Sequence, residues 1–466
     1  MVPTSSPPLE PLQVHADAEW VRDGAGRVVL LRGANYSGLE FGNFIGSAHG
    51  PREANFARMA SWGFNVIRLP IAWNYIEPVM NQFSDRYLIE QVDPVVAFAA
   101  RHGLVVILDM HQFEWSAYFT NGNGAPAWVC DERGYADDQS GQLHAACDFF
   151  QGALAPDGRT LIGHFVDAWR VVARHYAGDV RIAGFDFFNE PIAYTCFAIG
   201  VFETRVLNPF YRQVRAAVAA EGAGQTFFFC PSITRNVSIP TVLEPMGPNV
   251  VYAPHLYTET GGAADRAYDG NASRVHADYN LATRESTTLG GPLFAGEFGG
   301  NTDVAGGFRS ATEQFLRDSL AEQEARLVGG AVWAYFPSDN TFSIVDASGQ
   351  EKGELVDVLV RPFARRVAGI PTAMHFDLDT KEFSFSFRND DEQRPPDPTE
   401  IFVPTRQYPL GFRVDIGAGD RWEYDRNGQR VLLFRGPVTE HTLHILPTAV
   451  TGADAPGQKA PAQKTP

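Results

Sequence analysis

Eight short apolar segments, separated by longer amphipathic stretches, constrain the fold of this chain more than any other feature of its sequence. The segments are rich in β-branched and aromatic residues, and stretches between them, such as SDRYLIEQVDPVVAFAARHG, carry apolar residues at helical spacing. Alternating strands and helices predict a parallel sheet, and eight such units predict a (β/α)8 TIM barrel. The segments cover residues 28–36, 64–70, 104–111, 181–190, 226–232, 250–257, 292–298 and 330–336.

After residue 369 the spacing of the apolar residues changes from helical to alternating. Phe383, Phe385 and Phe387 alternate with polar residues, which is the period of a strand with one buried face. We therefore predict a TIM-barrel catalytic domain with an N-terminal extension over residues 1–369, a small antiparallel β-sandwich over 370–450 and a disordered tail over 451–466. The sandwich either binds a lipid surface or braces the barrel.

The net charge of −17 argues against several classes of partner. It repels phosphate backbones, so no nucleic acid is expected to bind. No apolar run reaches about 18 residues, so the protein is not expected to be integral to a membrane. The N-terminal sequence MVPTSSPPLEPLQV lacks the basic and apolar regions of a secretory signal, which leaves a cytoplasmic location open. The sequence indicates no oligomeric state.

The spacing of cysteine and histidine predicts neither a metal site nor a cofactor. The four cysteines lack paired CxxC spacing, and no HExxH motif occurs. Cys130 and Cys147 flank one polar loop. Two outcomes stay open for them: a disulfide that closes the loop in an oxidising compartment, or two unpaired buried thiols.

Polar side chains close several of the predicted strands, at the end where TIM barrels carry their chemistry. Glu190 follows strand four and Glu297 follows strand seven, and these strands lie across the barrel mouth from each other. Two carboxylates about 5 to 5.5 Å apart can hydrolyse a glycosidic bond with retention, because one attacks C1 while the other protonates the leaving oxygen. The other strand-closing residues are Arg68, Asp109, His111, Asn189, His255 and Tyr257, and Trp333 lies within strand eight.

The neighbours of the two glutamates divide the roles between them. Arg68 is the cation that would keep Glu297 ionised as the nucleophile, and Tyr257 is placed to donate a hydrogen bond to it. Glu190 lies in a largely apolar stretch, which would favour the protonated form that a general acid needs. We therefore predict Glu190 as the general acid/base and Glu297 as the nucleophile.

The strand-end motifs together resemble glycoside hydrolase family five. They are GFNVIRLP, LDMHQ, FNEP, HLY, GEFG and Trp333, in the family's order, and the match covers residues 28 to 369. Within that family the runs GFNVIRLPIAWNYIEP and GAPAWVC are most similar to bacterial endoglycoceramidases, which release an intact glycan from the ceramide of a glycosphingolipid. The resemblance implies a secreted retaining hydrolase, a glycolipid or other amphipathic glycoside as substrate, and no cofactor.

The resemblance also implies roles for individual residues. Asn189 would bind the sugar 2-hydroxyl, His111 and His255 would line the subsite beside the scissile bond, and Trp333 would form its stacking floor. The full set of predicted substrate-binding residues is Arg68, His111, Gln112, Asn189, His255, Tyr257 and Trp333.

One motif departs from the endoglycoceramidase pattern. Those enzymes usually read HQD after strand three, whereas this chain reads His111, Gln112, Phe113 and Glu114. An aromatic ring replaces an acidic residue that would bind a sugar hydroxyl, so the glycan preference stays open. Glu114 could substitute only if the loop shifts by one residue.

The aromatic content of the predicted mouth loops favours a hydrophobic leaving group. The chain has 34 Phe against 8 Trp, and loops such as GLEFGNFIG and PIAYTCFAIGVF carry several apolar residues. A sugar stacks on one or two rings, whereas a lipid tail needs a continuous apolar wall. The alternatives are a β-glucosidase or diglycosidase acting on a sterol or flavonoid glycoside, an endo-β-glucanase, and a non-catalytic carbohydrate-binding protein.

Overall fold

The computed structural model describes residues 9–15, 17–131, 133–258, 266–337 and 341–448. The predicted disordered tail, residues 451–466, lies outside the described residues. Within them, nineteen strands form three sheets. The strands are β1 (Gln13–Val14), β2 (Val21–Arg22), β3 (Val28–Val29), β4 (Arg32–Tyr36), β5 (Val66–Ile71), β6 (Val105–Met110), β7 (Ile182–Asp186), β8 (Thr226–Phe229), β9 (Val250–Tyr252), β10 (Phe294–Gly299), β11 (Gly329–Tyr335), β12 (Phe363–Val367), β13 (Ile370–Phe376), β14 (Phe383–Arg388), β15 (Thr399–Phe402), β16 (Phe412–Ile416), β17 (Arg421–Asp425), β18 (Arg430–Phe434) and β19 (Glu440–Pro447).

Eight parallel strands form a barrel in the order β10, β11, β4, β5, β6, β7, β8 and β9. Two parallel bridges, from Tyr252 to Leu293 and from His255 to Glu297, join its edge strands. The strands are buried on both faces, because side chains fill the interior and helices cover the outside. The predicted TIM barrel is therefore confirmed.

The helices pack around this barrel. Proline in the first turn of two of them suits the start of a helix, because its fixed φ is helical and its missing N–H would be unpaired there. No helix in the described part of the chain is long and apolar enough to cross a membrane. The helices are α1 (Glu53–Ser61), α2 (Trp73–Ile76), α3 (Asp93–Arg101), α4 (Trp128–Asp131), α5 (Gln139–Phe150), α6 (Leu161–Tyr176), α7 (Ile199–Phe202), α8 (Asn208–Ala220), α9 (Ala272–Leu289), α10 (Phe308–Arg326) and α11 (Gly353–Leu359), with short 3₁₀ segments at Leu39–Phe41, Ile233–Val237 and Ala305–Gly307 and π segments at Leu88–Val92 and Glu203–Leu207.

The first predicted strand, residues 28–36, is divided in the structure. Its start, β3, pairs antiparallel with β2 and β12, whereas its end, β4, joins the barrel. The Asn65 side chain bonds the backbone groups between β3 and β4 that would otherwise lack a partner. Its Oδ1 accepts from Arg32 N at 2.9 Å, and its Nδ2 donates to Leu30 O at 2.9 Å. Residues 28–36 are one continuous run in the sequence, but their two strands belong to two different sheets.

Two antiparallel sheets form the sandwich, in the orders β1-β2-β3-β12-β15-β18-β17 and β13-β14-β19-β16. Phe383, Phe385 and Phe387 are each 1% exposed, which confirms the alternation predicted for this strand. The larger sheet includes the three N-terminal strands, and β12 pairs within it although it precedes the predicted boundary between residues 369 and 370. That boundary stays a prediction.

Glu324 on α10 joins the barrel to the sandwich. Its Oε1 accepts from Arg361 at 2.9 Å and from Arg32 at 3.3 Å, and its Oε2 accepts from the backbone N of Phe376 in β13 at 3.1 Å. All three charged side chains are buried. One carboxylate therefore compensates two cations that have no access to bulk water.

Replacing Glu324 by alanine is expected to lower the free energy of unfolding by about 3–5 kcal/mol, because Arg32 and Arg361 would stay buried without their carboxylate. Urea denaturation followed by tryptophan fluorescence measures this. The control is Glu423→Ala, which removes an exposed carboxylate of β17 and is expected to change stability by less than about 0.5 kcal/mol. Equal losses in the two variants would contradict the prediction.

Candidate active site

A buried arginine connects the ends of several barrel strands. Arg68 on β5 lies 2.9 Å from Asp186 Oδ2 of β7, 3.0 Å from Asp109 Oδ1 of β6 and 2.9 Å from Glu297 Oε1 of β10, and it donates to Asn35 Oδ1 of β4 at 3.0 Å. Burial would lower the pKa of Arg68, but the three carboxylates outweigh burial and raise it. Burial raises the pKa of Asp109 and that of Asp186 to about 6. The charge balance of the barrel mouth therefore depends on one guanidinium.

The same guanidinium orients the amide of Asn189. Arg68 can only donate, so its Nη2 bonds Asn189 Oδ1 at 2.9 Å and turns the amide nitrogen toward His111 Nε2, 3.5 Å away. The other nitrogen of His111 donates to Asp109 Oδ2 at 2.7 Å, and its ring stacks on Trp333 with 5.3 Å between the ring centroids. Burial lowers the pKa of His111, which favours its neutral form.

Glu190 lies four residues after the end of β7 at Asp186, in a left-handed backbone conformation with φ of 44°. Non-glycine residues rarely adopt this conformation, and such outliers occur often at functional sites. Gln112 holds the turn, because its Nε2 donates to Asn189 O at 3.1 Å and to Glu190 O at 3.2 Å. Gln112 thus lies behind the glutamate and fixes its backbone.

The carboxylate of Glu190 accepts two short hydrogen bonds through Oε1. Asn236 donates from Nδ2 at 2.6 Å and His255 donates from Nδ1 at 2.7 Å. Burial would raise the pKa of Glu190, but the two donors and the charge of His255 outweigh it and lower the pKa. The expectation that an apolar setting keeps Glu190 protonated is wrong, because these donors come from segments that are distant in the sequence.

The carboxylate of Glu297 is more deeply buried. Its Oε1 accepts from Arg68, and its Oε2 accepts from Tyr257 at 2.6 Å, so both predicted contacts are present. Burial raises the pKa of Glu297, and the charges of His255 and Arg68 oppose this rise without cancelling it. One oxygen of Glu190 and one of Glu297 lie within 4.8 Å of each other, with His255 close to both.

Asn236 is a site residue that the strand-end pattern misses, because it lies in a 3₁₀ segment after β8 rather than at the strand end. Its neighbour Arg235 anchors that segment to α9, with Nε donating to Glu285 at 2.8 Å and Nη1 donating to Asp278 at 2.5 Å. Arg235 is 1% exposed and is the one charged residue in 222–243. A lone arginine in a neutral stretch was the signal that could have located this segment.

The two carboxylates face a cavity of about 460 Å³. Of the predicted substrate-binding residues, His111, Asn189, Tyr257 and Trp333 line it, whereas Arg68, Gln112 and His255 lie behind those side chains. Glu114 does not belong to the lining in the described part of the chain. The lining residues are His111, Phe113, Asn189, Glu190, Tyr194, Ile233, Thr234, Asn236, Val237, Tyr257, Glu297, Trp333 and Phe342.

The apolar side chains around the cavity divide into two groups. Trp115 and Phe119 are 2% and 3% exposed, so they pack the loops together. Phe113, Tyr194 and Val237 are 51%, 45% and 48% exposed and line the cavity. Tyr194 lies four residues after Glu190, Phe113 follows Gln112, and Val237 follows Asn236. Gln112 and Asn236 both bond Glu190, so the exposed apolar surface lies beside Glu190.

Among the described residues, one group of ligand-type side chains is compact enough to hold a metal ion. It consists of Glu190, His255 and Glu297, whose ligand atoms lie within 4.8 Å of one another. The group is the carboxylate pair with the histidine that donates to it, and no separate cluster of this kind exists in the described ranges.

A disulfide joins Cys147 on α5 to Cys196 in the loop that follows Glu190. The pairing of Cys130 with Cys147 is wrong, and so is the alternative of two unpaired thiols, because Cys147 faces this loop whereas Cys130 is buried and free. Cys230 is also buried and free. The disulfide fixes the loop that carries Tyr194 to the barrel.

Comparison with known proteins gives consistent matches over most of the chain. A model described as cellulase (glycosyl hydrolase family 5) matches residues 23–336, and one described as the glycoside hydrolase family 5 C-terminal domain matches residues 361–445. Endoglycoceramidase I of Rhodococcus hoagii is 27% identical over 442 residues, covering 88% of this chain and 83% of that protein. A glucosylceramidase of Rhizopus delemar is 26% identical over 242 residues, covering 38% of this chain and 35% of that protein. The structure of endo-glycoceramidase II from Rhodococcus sp. superposes with a TM-score of 0.77 at 25% identity, covering 92% of this chain and 100% of that one.

Proposed function

Because the chain belongs to glycosyl hydrolase family 5, we propose that it is a retaining β-glycosidase that releases a glycan from a lipid-like aglycone. Glu190 is the general acid/base and Glu297 the nucleophile in this proposal. The observation that carries it is a pair of carboxylates within 4.8 Å of each other at a cavity with an apolar wall beside Glu190. Related proteins named endoglycoceramidase and glucosylceramidase support the substrate class.

The separation of the carboxylates supports double displacement. Retaining glycosidases hold the two groups about 5 to 5.5 Å apart, whereas inverting enzymes need about 6.5 to 9.5 Å to admit a water molecule between base and sugar. One oxygen of Glu190 lies within 4.8 Å of one oxygen of Glu297, which fits the shorter separation. Glu297 therefore attacks C1 directly while Glu190 protonates the leaving oxygen, and water then hydrolyses the glycosyl ester with Glu190 as base.

The contacts of each carboxylate fit its proposed role. Arg68 and Tyr257 each bond a different oxygen of Glu297, so they fix the orientation in which it attacks C1. The lowered pKa of Glu190 suits the second step, in which it takes a proton from water. In the first step a bound substrate removes water from Glu190 and disfavours its charged form, which supplies the protonated acid.

The apolar surface next to Glu190 supports a hydrophobic aglycone. The leaving group must lie on the side of the residue that protonates it, where Phe113, Tyr194 and Val237 are exposed. Large apolar side chains exposed at the edge of a cavity are typical of an apolar binding site. Trp333 is the one indole in the described lining, which is fewer than a groove for a long polysaccharide would use.

A second candidate is a β-glucosidase or diglycosidase that acts on a sterol or flavonoid glycoside. Phe113 favours it, because this exposed ring stands where endoglycoceramidases usually carry an acidic residue that binds sugar. The same apolar wall serves either aglycone.

We further propose that the enzyme is secreted and therefore works in an oxidising compartment. The disulfide between Cys147 and Cys196 supports this, because disulfides persist in such compartments and are rare in the cytosol.

Glu297→Gln is expected to abolish turnover, whereas Glu190→Gln is expected to lower kcat by about 10²–10⁴-fold for alkyl leaving groups and far less for a dinitrophenyl glycoside, which needs no protonation. NMR of the first product is expected to show the β-anomer. Glu114→Gln is the control, since Glu114 does not line the cavity, and it is expected to keep wild-type rates. An α-anomeric product would contradict double displacement.

The opposite pKa shifts of the two carboxylates predict shifts of different limbs of the pH profile. Asn236→Ala removes a donor from ionised Glu190, so the pKa of Glu190 rises. Because Glu190 has the lower pKa of the pair in the free enzyme, the acidic limb of kcat/KM moves up by as much as about 1 pH unit. Tyr257→Phe removes a donor from ionised Glu297, so its pKa rises and the alkaline limb moves up instead. Movement of the opposite limb in either variant would contradict this order of the two pKa values.

A substrate panel tests the aglycone. We expect release of intact glycan from glucosylceramide, lactosylceramide or a ganglioside in micelles, and little release from soluble cellulose derivatives. Val237→Ser is expected to lower kcat/KM for the glycolipids but not for a small aryl glycoside. Val304→Ser, an exposed change outside the cavity lining, is the matched control. Turnover of steryl glucoside with none of any sphingolipid would favour the second candidate.

A further inference from the structure

A second polar cavity, here called the junction cavity, lies between the barrel and the sandwich. Its volume is about 370 Å³. The C-terminal ends of α1 and α3 border it, and because these helices run back against the strands, it lies at the opposite end of the barrel from Glu190 and Glu297. Its lining residues are Leu9, Ala57, Ala60, Ser61, His102, Gly103, Arg365, Arg366, Phe402, Asp425, Asn427, Gly428, Gln429 and Arg430.

Arg365 is half-buried, and its pairing differs from that of the buried arginines in the described ranges. Those arginines each have a carboxylate oxygen within 3.3 Å, and they are Arg22, Arg32, Arg68, Arg235 and Arg361. Within the described ranges Arg365 makes no ion pair, and its Nε is shielded from solvent without a hydrogen-bond partner. An N–H of a guanidinium that is shielded from solvent is unfavourable unless something supplies an acceptor.

The local backbone turns Arg365 toward the junction cavity. In the pairing of β12 with β15, Ala364 is opposite Ile401 and Arg366 is opposite Glu400, so Arg365 is the extra residue of a β-bulge. In a regular strand two successive side chains point to opposite faces, whereas here Arg365 and Arg366 line the same cavity.

The other charges around the cavity are already paired. Glu400 lies 3.4 Å from Arg366 and 3.0 Å from Arg430, and Arg430 also bonds Asp425 at 2.7 Å. Burial and the positive charge of Arg366 lower the pKa of Arg365 to about 10, so it stays protonated at neutral pH. In the described ranges, Arg365 is therefore a cation without an ion pair that faces a polar space, in a chain whose net charge is −17.

We propose that the junction cavity binds a small oxyanion of the phosphate class, with the guanidinium of Arg365 as its principal donor. A forked guanidinium matches two oxygens of a phosphate, and the polar side chains of Asn427 and Gln429 line the same space. The volume exceeds what inorganic phosphate needs, so a phosphate monoester of a small molecule also fits. The bound anion would stabilise the contact between barrel and sandwich.

Calorimetric titration and thermal unfolding of the full chain test this, with inorganic phosphate or glycerol phosphate against chloride at equal ionic strength. Wild type is expected to bind phosphate and gain Tm, and Arg365→Gln to weaken binding at least about tenfold. Arg413→Gln, an exposed change on β16, is the control and should respond like wild type. Tighter binding of glycerol phosphate would identify a monoester as the ligand, and tighter binding of inorganic phosphate the free ion.

A second variant keeps the proposal falsifiable if Arg365→Gln does not fold. Ala57→Glu places a carboxylate on α1 at the cavity wall, so it is expected to raise Tm without phosphate and to remove the response to phosphate. The rate on a small aryl glycoside is expected to be unaffected by phosphate. Equal Tm gains in wild type and both variants, or no phosphate binding by wild type, would overturn the proposal.

Discussion

The buried guanidinium of Arg68 is the interaction on which the barrel mouth depends. Three carboxylates from separate strands would repel one another in this low-dielectric space, and the guanidinium alone would be unfavourable there. Together they fix the strand ends that carry Asn35, Asn189 and Glu297. Removal of the guanidinium would leave buried carboxylates without their cation, which would destabilise the barrel. It would also free the side chains of Asn189 and Glu297 from the orientation in which they face the cavity.

The residues that sequence could predict are those whose position follows from strand order. Parallel strands bring their carboxyl ends to one edge, so the sequence alone groups His111, Glu297 and Tyr257. Asn236 and the Cys147–Cys196 disulfide could not, because both depend on how long loops fold over that edge. The residues of such a loop show no periodic spacing of apolar side chains from which its conformation could be predicted.

The protonation of Glu190 illustrates a second limit. Its neighbours in sequence are apolar, and they alone predict a raised pKa for its carboxyl group. Its neighbours in space are Asn236 and His255, which donate to it and lower its pKa. Local sequence reports burial, whereas the charge state of a buried group also depends on donors from distant segments. The alternation of Phe383, Phe385 and Phe387 was predictable because it is wholly local.

The pairing of β3 with β12 also sets an order for biosynthesis. Val28 lies opposite Val367, so β3 pairs with β2 alone until nearly all of the barrel has left the ribosome. At about 5–20 residues per second, that interval is on the order of twenty seconds to a minute. A chain released before β12 would carry the barrel strands with an open edge on β3, the kind of surface that promotes aggregation, and synthesis past Val367 supplies the strand that covers it.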